Sequence, residues 1–269
     1  MNVRYIDVHC HVQFDQYDED REDLIAQIKE QKVAGIVVGC DLESSQKAIS
    51  LAQQHEHLYA SVGLHPTHAE EFEVTQYRAL AEHEKVVAIG ECGLDYFRPT
   101  ELTEALKEKQ KSVFKQHIAL AAELQKPLII HARPSKGTQD AYHDLIVFLQ
   151  EAKQTYPDLR GDIHFFVGGI EEAEALRALD FTLSFTAVIT FAHDYDEMLR
   201  AQPLTAILSE TDAPYIAPID RRGKRNDPLA VITVVSRIAE IRSEEPEIVR
   251  TTLLQNALKM FPMPGLIAE

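Results

Sequence analysis

The sequence predicts an α/β fold, specifically a (β/α)8 TIM-type barrel, and three observations lead there. Short β-branched runs alternate with longer amphipathic stretches from end to end, the pattern of parallel strands joined by crossover helices. Eight of the short runs read as strands. No glycine-rich first turn opens the chain in the manner of a dinucleotide-binding sheet. An open doubly wound sheet is the competing topology; the count of eight and the missing glycines favour the closed barrel.

Each element follows from its residues. The first strand covers residues 4–10, and helix 18–31 after it places Leu24, Ile25 and Ile28 on one side. Strand 35–40 leads to helix 44–55 with Ala48, Leu51 and Ala52. Strand 58–62 runs into "GLHP", and strand 86–91 runs into "GECGLDY". The longest helical stretch, 101–124, precedes strands 127–131, 162–167, 181–185 and 206–209. Helices 227–241 and 245–260 close the chain. With no linker, low-complexity tract or strong short repeat, residues 1–269 are expected to form one domain.

Composition narrows the function. A hydrophobic fraction of 45% supports a sizeable core without disulfide staples. Cys10, Cys40 and Cys92 are too few, and odd in number, for a disulfide framework, so reduced thiols in a cytoplasmic protein are expected. The start "MNVRYIDVHC" lacks a basic region followed by an apolar core, and no apolar run approaches the ~18 residues of a membrane span. Forty-three acidic against 27 basic residues give a charge of −16. That excludes broad coating of nucleic acid, which needs a basic footprint, but leaves room for a local phosphate site.

The chemistry collects at strand ends. "YIDVHCHVQFD" carries Asp7, His9 and His11 at every second position, so alternation projects all three to one face, with Ile6, Val8, Cys10 and Val12 opposite. Burying three such groups without partners costs several kcal/mol, which a divalent cation would offset. Barrel active sites lie at the C-terminal strand ends. Those ends supply His65, Glu91, Asp95, His131, Arg133, His164, Glu210 and Asp212 besides the first pair. Asp95 reads as a loop cap, and Glu210 as a residue that orients a ligand or the loop. Cys10 and Cys92 face the barrel–helix layer as small apolar groups. The second HxH, His55 and His57, ends a helix without accompanying strand-end ligands and reads as a solvated helix end.

These residues carry a resemblance. "DVHCHVQFD", "GLHP", "IGECGLDY", "HAR", "ETDAPYIAP", "RGKRNDP" and "NALKMF" resemble the TatD family of metal-dependent deoxyribonucleases, within the amidohydrolase-like barrels, over nearly the whole chain. The resemblance implies that His9, His11 and Asp212 hold one metal, that His131 and His164 hold a second, and that Glu91 bridges them. It also implies Mg2+-supported 3′→5′ cleavage of DNA. Two segments depart from the family pattern: "HARPSKGTQDAY" lacks the short serine-containing form, and "HFFVGG" replaces "HCFSG". Both keep the histidine, so the departures bear on substrate and not on metal.

The expected reaction is hydrolysis. Paired divalent ions clamp a phosphoryl oxygen and lower the pKa of a bridging water; Asp212, touching metal and water, is the expected general base. Four histidines with carboxylates suit Zn2+ or Mn2+, while Mg2+ prefers oxygen ligands. Arg221, Arg222, Lys224 and Arg225 form the dense basic cluster of this acidic chain. Arg222 and Arg225, with His65 and Arg133, are the expected contacts to substrate. The substrate expected is single-stranded DNA or a frayed end. A hydrolase of a small amide, ester or lactone is the alternative enzyme, and a metal-loaded binding protein the non-enzymatic one.

Overall fold

A ring of parallel strands surrounds the first histidine pair. The computed structural model describes residues 1–68 and 72–269. In chain order the elements are β1 (Asn2–Val3), β2 (Tyr5–Cys10), α1 (Arg21–Glu30), β3 (Val33–Val38), α2 (Leu42–Gln54), β4 (Leu58–Val62), α3 (Val74–Ala81), β5 (Val86–Asp95) and α4 (Glu104–Leu124). There follow β6 (Leu128–Arg133), α5 (Asp140–Thr155), β7 (Gly161–His164), α6 (Ile170–Arg177), β8 (Phe181–Phe185), α7 (Asp196–Ala201), β9 (Ile207–Ser209), α8 (Val231–Arg242), α9 (Pro246–Met260) and β10 (Ile267–Ala268). Strands β2 to β9 pair in sequence order, all parallel. Cys10 bridges to Ala213 just past β9, and the His11 amide donates to Ala213 O at 2.7 Å, drawing the two edges together. The fold is the predicted barrel.

Two apolar layers hold it. Ile6, Val8, Ile36, Val38, Tyr59, Val87, Ile129 and Leu208 form a cluster with Leu254, Met260 and Phe261 of the C-terminal segment. Strand alternation places this set inside the ring, where barrel interiors are filled by layers of side chains. Cys10, Val12, Val37, Ala60, Ile89, Cys92, Ile130 and Ile163 pack in the larger layer between strands and helices. No helix among the described residues is long and apolar enough to cross a membrane.

Several expected boundaries move for identifiable reasons. The fourth expected strand runs on to Asp95, because Gly93, Leu94 and Asp95 continue to pair with His131, Ala132 and Arg133. The sixth stops at His164 instead of 167: Phe165 takes φ +46° and its amide turns to Glu210 Oε1 at 2.5 Å. Helices α3, α6 and α7 are too short, at 8, 8 and 6 residues, to show a helical period. Helix α5 does carry a stripe, Ala141, Tyr142, Leu145 and Leu149, which the sequence reading leaves unassigned.

The shared face expected for Asp7, His9 and His11 needs correction. Between Asp7 and Cys10 the pairing with β3 shifts by one residue, a bulge that changes the phase of alternation. Ile6 and Val8 consequently fill the interior, and Asp7 turns to the β9 side, where it accepts bonds from Thr211 N at 2.9 Å and Thr211 Oγ1 at 2.6 Å. A matching shift lies between Ile89 and Cys92 of β5. Each bulge immediately flanks a residue of the site, His9 in one case and Glu91 in the other.

Candidate metal centre

Glu91 occupies the middle of the rim and is 3% exposed. Its Oε1 lies 3.0 Å from His131 Nδ1, 3.4 Å from His65 Nε2 and 3.5 Å from His164 Nε2. Its Oε2 lies 3.5 Å from His9 Nε2 and 4.0 Å from His11 Nε2. Asp212 adds a second carboxylate, with Oδ1 at 3.5 Å from His11 Nε2 and 3.9 Å from His9 Nε2. Burial would raise the Glu91 carboxyl, but the imidazoles of His65 and His164 and bonds from His131 and His9 hold it well below the carboxylate range. Asp212 is likewise lowered against its burial by the bond with His11 and the imidazoles of His164 and His9. Burial opposes charge on His164 too, yet Glu210 and Glu91 raise it to about 9.

Hydrogen-bond directions test whether the site fits a cation. His11 Nδ1 donates to the Val38 carbonyl at 2.8 Å, which turns its Nε2 toward the other candidate ligands. That nitrogen lies 3.1 Å from His9 Nε2, while His9 Nδ1 is buried with no hydrogen-bond partner among the described residues. His164 Nδ1 lies 2.7 Å from Glu210 Oε2, which directs its Nε2 at Glu91. Glu210 is fixed in turn by Ser184 Oγ at 2.9 Å. Imidazole nitrogens buried around carboxylates suit a divalent ion, and a second carboxylate behind the imidazole is how such ligands are oriented. His9, His11 and Asp212 form one compact donor group, and His9, Glu91 and His164 form another.

The rim opens into a cavity of about 490 Å³, lined by His11, Glu91, His131, His164 and Asp212 together with Cys40, Arg98, Arg133, Phe165 and Tyr215. Of the expected substrate contacts, His65 and Arg133 line it. Arg222 and Arg225 do not: Arg225 forms a bidentate pair with Asp20 at 2.6 and 2.8 Å, and Arg222 stacks on Phe191 at 4.0 Å. Arg221 is bound to Asp227 at 2.5 Å. Asp95 caps its loop by accepting from the Phe97 and Arg98 amides, and also holds His131 Nε2 at 3.0 Å. His57, expected to be solvated, is 1% exposed and belongs to the turn into β4.

Cys40 and Arg98 are among the cavity residues that the sequence reading passed over. Cys40 follows β3, and its thiol, pushed up to about 11 by burial, donates to Glu91 Oε2 at 3.5 Å. Position at a strand's C-terminal end was the available signal. Arg98 lies seven residues beyond Glu91 in "DYFRP", and only the turn capped by Asp95 brings it back to the rim. Three cavity residues, Phe165, Asp212 and Ile216, have φ of +46°, +51° and +50°. Asp tolerates that region, whereas Phe and β-branched Ile adopt it rarely, and such strain gathers at functional sites.

A parallel barrel with imidazoles and carboxylates gathered at its C-terminal rim defines a metal-dependent hydrolase. Residues 6–262 match the family model described as TatD related DNase, and the chain belongs to this family. It is 36% identical over 261 residues to the uncharacterized metal-dependent hydrolase YabD of Bacillus subtilis (strain 168), covering 95% of this chain and 98% of that protein. It is 32% identical over 271 residues to the 3′-5′ ssDNA/RNA exonuclease TatD of Erwinia billingiae (strain Eb661), covering 96% and 99%. The crystal structure of YJJV, a TatD homolog from Escherichia coli K12, superposes with a TM-score of 0.86 at 27% identity, covering 97% of this chain and 99% of that one.

Proposed function

We propose that the protein is a 3′→5′ exonuclease acting on single-stranded DNA or frayed ends. The observation that carries this reading is the joining of a cation-ready carboxylate–imidazole ring to a cavity of about 490 Å³ with arginines on its rim. That volume suits one nucleotide unit and not a duplex, since pockets of this order enclose single small ligands. His9, His11 and Asp212 would hold one divalent ion, His131 and His164 a second, and Glu91 would bridge them. The ions would supply Lewis-acid activation of water and charge stabilisation at phosphorus. Mg2+, Mn2+ and Zn2+ are the candidate ions; the nitrogen-rich donor set favours Mn2+ or Zn2+.

The chain's own groups then divide the work. Asp212, held as a carboxylate, accepts the proton of the attacking water. The water oxygen bonds to phosphorus, the P–O3′ bond breaks, and the departing O3′ takes up a proton. The products are a 5′-nucleotide and a strand one residue shorter. Arg133, whose guanidinium lies 4.1 Å above the Phe97 ring, is placed to meet backbone phosphate. Phe165 and Val167 give the cavity an apolar wall where the sequence departs from the family pattern, and this wall supports hydrolysis of a small ester, amide or lactone as the second reading.

An end-labelled single strand incubated with Mg2+ or Mn2+ and resolved on a sequencing gel tests the proposal. A ladder shortening from the 3′ end is expected. An intact strand beside rapid hydrolysis of carboxyl-ester chromogens would hand the site to the small-molecule reading.

A further inference from the structure

We infer that the cavity is divided into a phosphate half and a base half, and that Phe165, Tyr215 and Ile216 form a slot for the terminal nucleobase of the strand. The inference rests on the exonuclease reading above and adds a subsite to it. Strand order sorts the lining. The loops after β4 and β5 and the end of β6 bring His65, Arg98 and Arg133 to the cavity. The loops after β7, β8, β9 and β2 bring Phe165, Tyr195, Tyr215, Ile216 and Phe14. Because β2 to β9 pair in order and Cys10 bridges to Ala213, the second group occupies one continuous sector. That sector adjoins the candidate ligands. The Phe165 ring centroid lies 6.0 Å from that of His164, and the Phe14 and Tyr215 centroids lie 4.7 and 6.4 Å from that of His11.

Packing does not account for the three slot residues. Phe166 is fully buried, with its ring 5.2 Å from Tyr142 and 6.4 Å from Phe185. Phe165, one residue earlier, belongs to neither apolar core. Its backbone nevertheless sits at φ +46°, where a side chain crowds the following carbonyl. Ile216 repeats the combination, with φ +50° and no place in either core. Tyr215 between Ile216 and the cis Ala213–Pro214 bond is 47% exposed. Large apolar side chains held in a disfavoured backbone, with no core packing in return, are the mark of a ligand clamp.

A nucleobase suits this sector. It is planar and aromatic, and it stacks on aromatic side chains whatever its sequence identity. A nucleotide whose 5′-phosphate meets the carboxylate–imidazole ring carries its base one sugar away. The rest of the strand, attached to that phosphate through O3′, then leads over the half that holds Arg98 and Arg133, where guanidinium meets the next phosphate. The cavity therefore has a direction: base toward β7–β9, strand toward β4–β6.

The test compares calorimetric binding of 2′-deoxyadenosine 5′-monophosphate and 2-deoxyribose 5-phosphate to the Mn2+-loaded protein, two ligands that differ by the base. The wild type should prefer the nucleotide by roughly 30-fold, on the scale of stacking one base against aromatic side chains. Phe165→Gly and Tyr215→Ala should each cut that preference by about fivefold or more, with affinity for the sugar phosphate and Mn2+ content at the wild-type level. Phe165→Tyr keeps a ring and should keep the preference. Glycine adopts positive φ freely, so Phe165→Gly should melt near the wild-type temperature. Equal affinity of the wild type for the two ligands, a preference intact in both Phe165→Gly and Tyr215→Ala, or a large loss of thermal stability in Phe165→Gly would overturn the slot. Failure of the exonuclease reading is separable: single-stranded DNA left intact by a protein with the base preference refutes that reading alone. DNA degraded by a protein that binds both ligands equally refutes the slot alone.

Discussion

Imidazole nitrogens of His9, His11, His65, His131 and His164 all lie within 4.0 Å of the Glu91 carboxylate. Its charge organises the ring, and its side chain packs little apolar surface. Glu91→Gln should therefore lower hydrolysis by about 100-fold or more, on the scale of losing groups that orient or complete a metal site, while thermal unfolding stays near that of the wild type. A large drop in melting temperature alongside lost activity would reassign Glu91 to the scaffold. His131→Ala with His164→Ala should remove one of the proposed ions and retain the other, because His9, His11 and Asp212 remain as a complete donor group. Elemental analysis of reconstituted, dialysed protein reads this directly, and a wild type saturating at one ion per chain refutes the two-ion assignment. Most rim residues were legible as strand-end His, Glu and Asp. Asp7 was misplaced because a period of two cannot register a bulge, and Arg98 was invisible because its approach depends on a loop.

At the scale of elements, the eight strands were readable since each is a short apolar run between turn signals, and parallel barrels bury both strand faces. What sequence could not supply was phase: the bulges in β2 and β5 follow from pairing with neighbours far along the chain. Helix α4 shows how a remote element supports the site. Its buried His117 bonds through Nδ1 to the Val113 carbonyl at 2.9 Å and accepts at Nε2 from the Leu64 amide at 3.1 Å, beside His65. Burial lowers His117 from an ordinary 6.5 to about 4. The unfolded chain therefore binds a proton that the folded chain refuses, and stability present above pH 6.5 is lost as the pH falls toward about 4. The full effect is on the order of 3 kcal/mol. His117→Gln retains an acceptor but does not titrate, so its urea-unfolding free energy should vary less between pH 6.5 and 4 than that of the wild type. Parallel pH profiles for the two proteins would show that another group carries the acid sensitivity.

Over the whole molecule, a charge of −16 repels polyanions at long range, so the proposed DNA substrate would have to be gripped by a few contacts near the cavity. Within the dense basic loop, Arg225 is paired with Asp20 and Arg221 with Asp227, and none of its four basic residues lines the cavity. Arg98 and Arg133 line the cavity instead. Each single-strand phosphate neutralised contributes a slope of about −0.7 to the dependence of log affinity on log salt. Two such contacts predict a shallow total of roughly −1.5, far below that of a protein coating many phosphates. Arg98→Ala should reduce the slope by about 0.7. Arg222→Ala with Arg225→Ala should leave it nearly unchanged, although releasing Asp20 adds one uncompensated negative charge near the surface. The measurement is the affinity of a fluorescent oligonucleotide at several salt concentrations, with Ca2+ or another non-supporting ion in place to prevent cleavage. If the loop variant flattens the dependence as much as Arg98→Ala does, phosphate is gripped outside the cavity, and the path of the strand must cross the loop after β9.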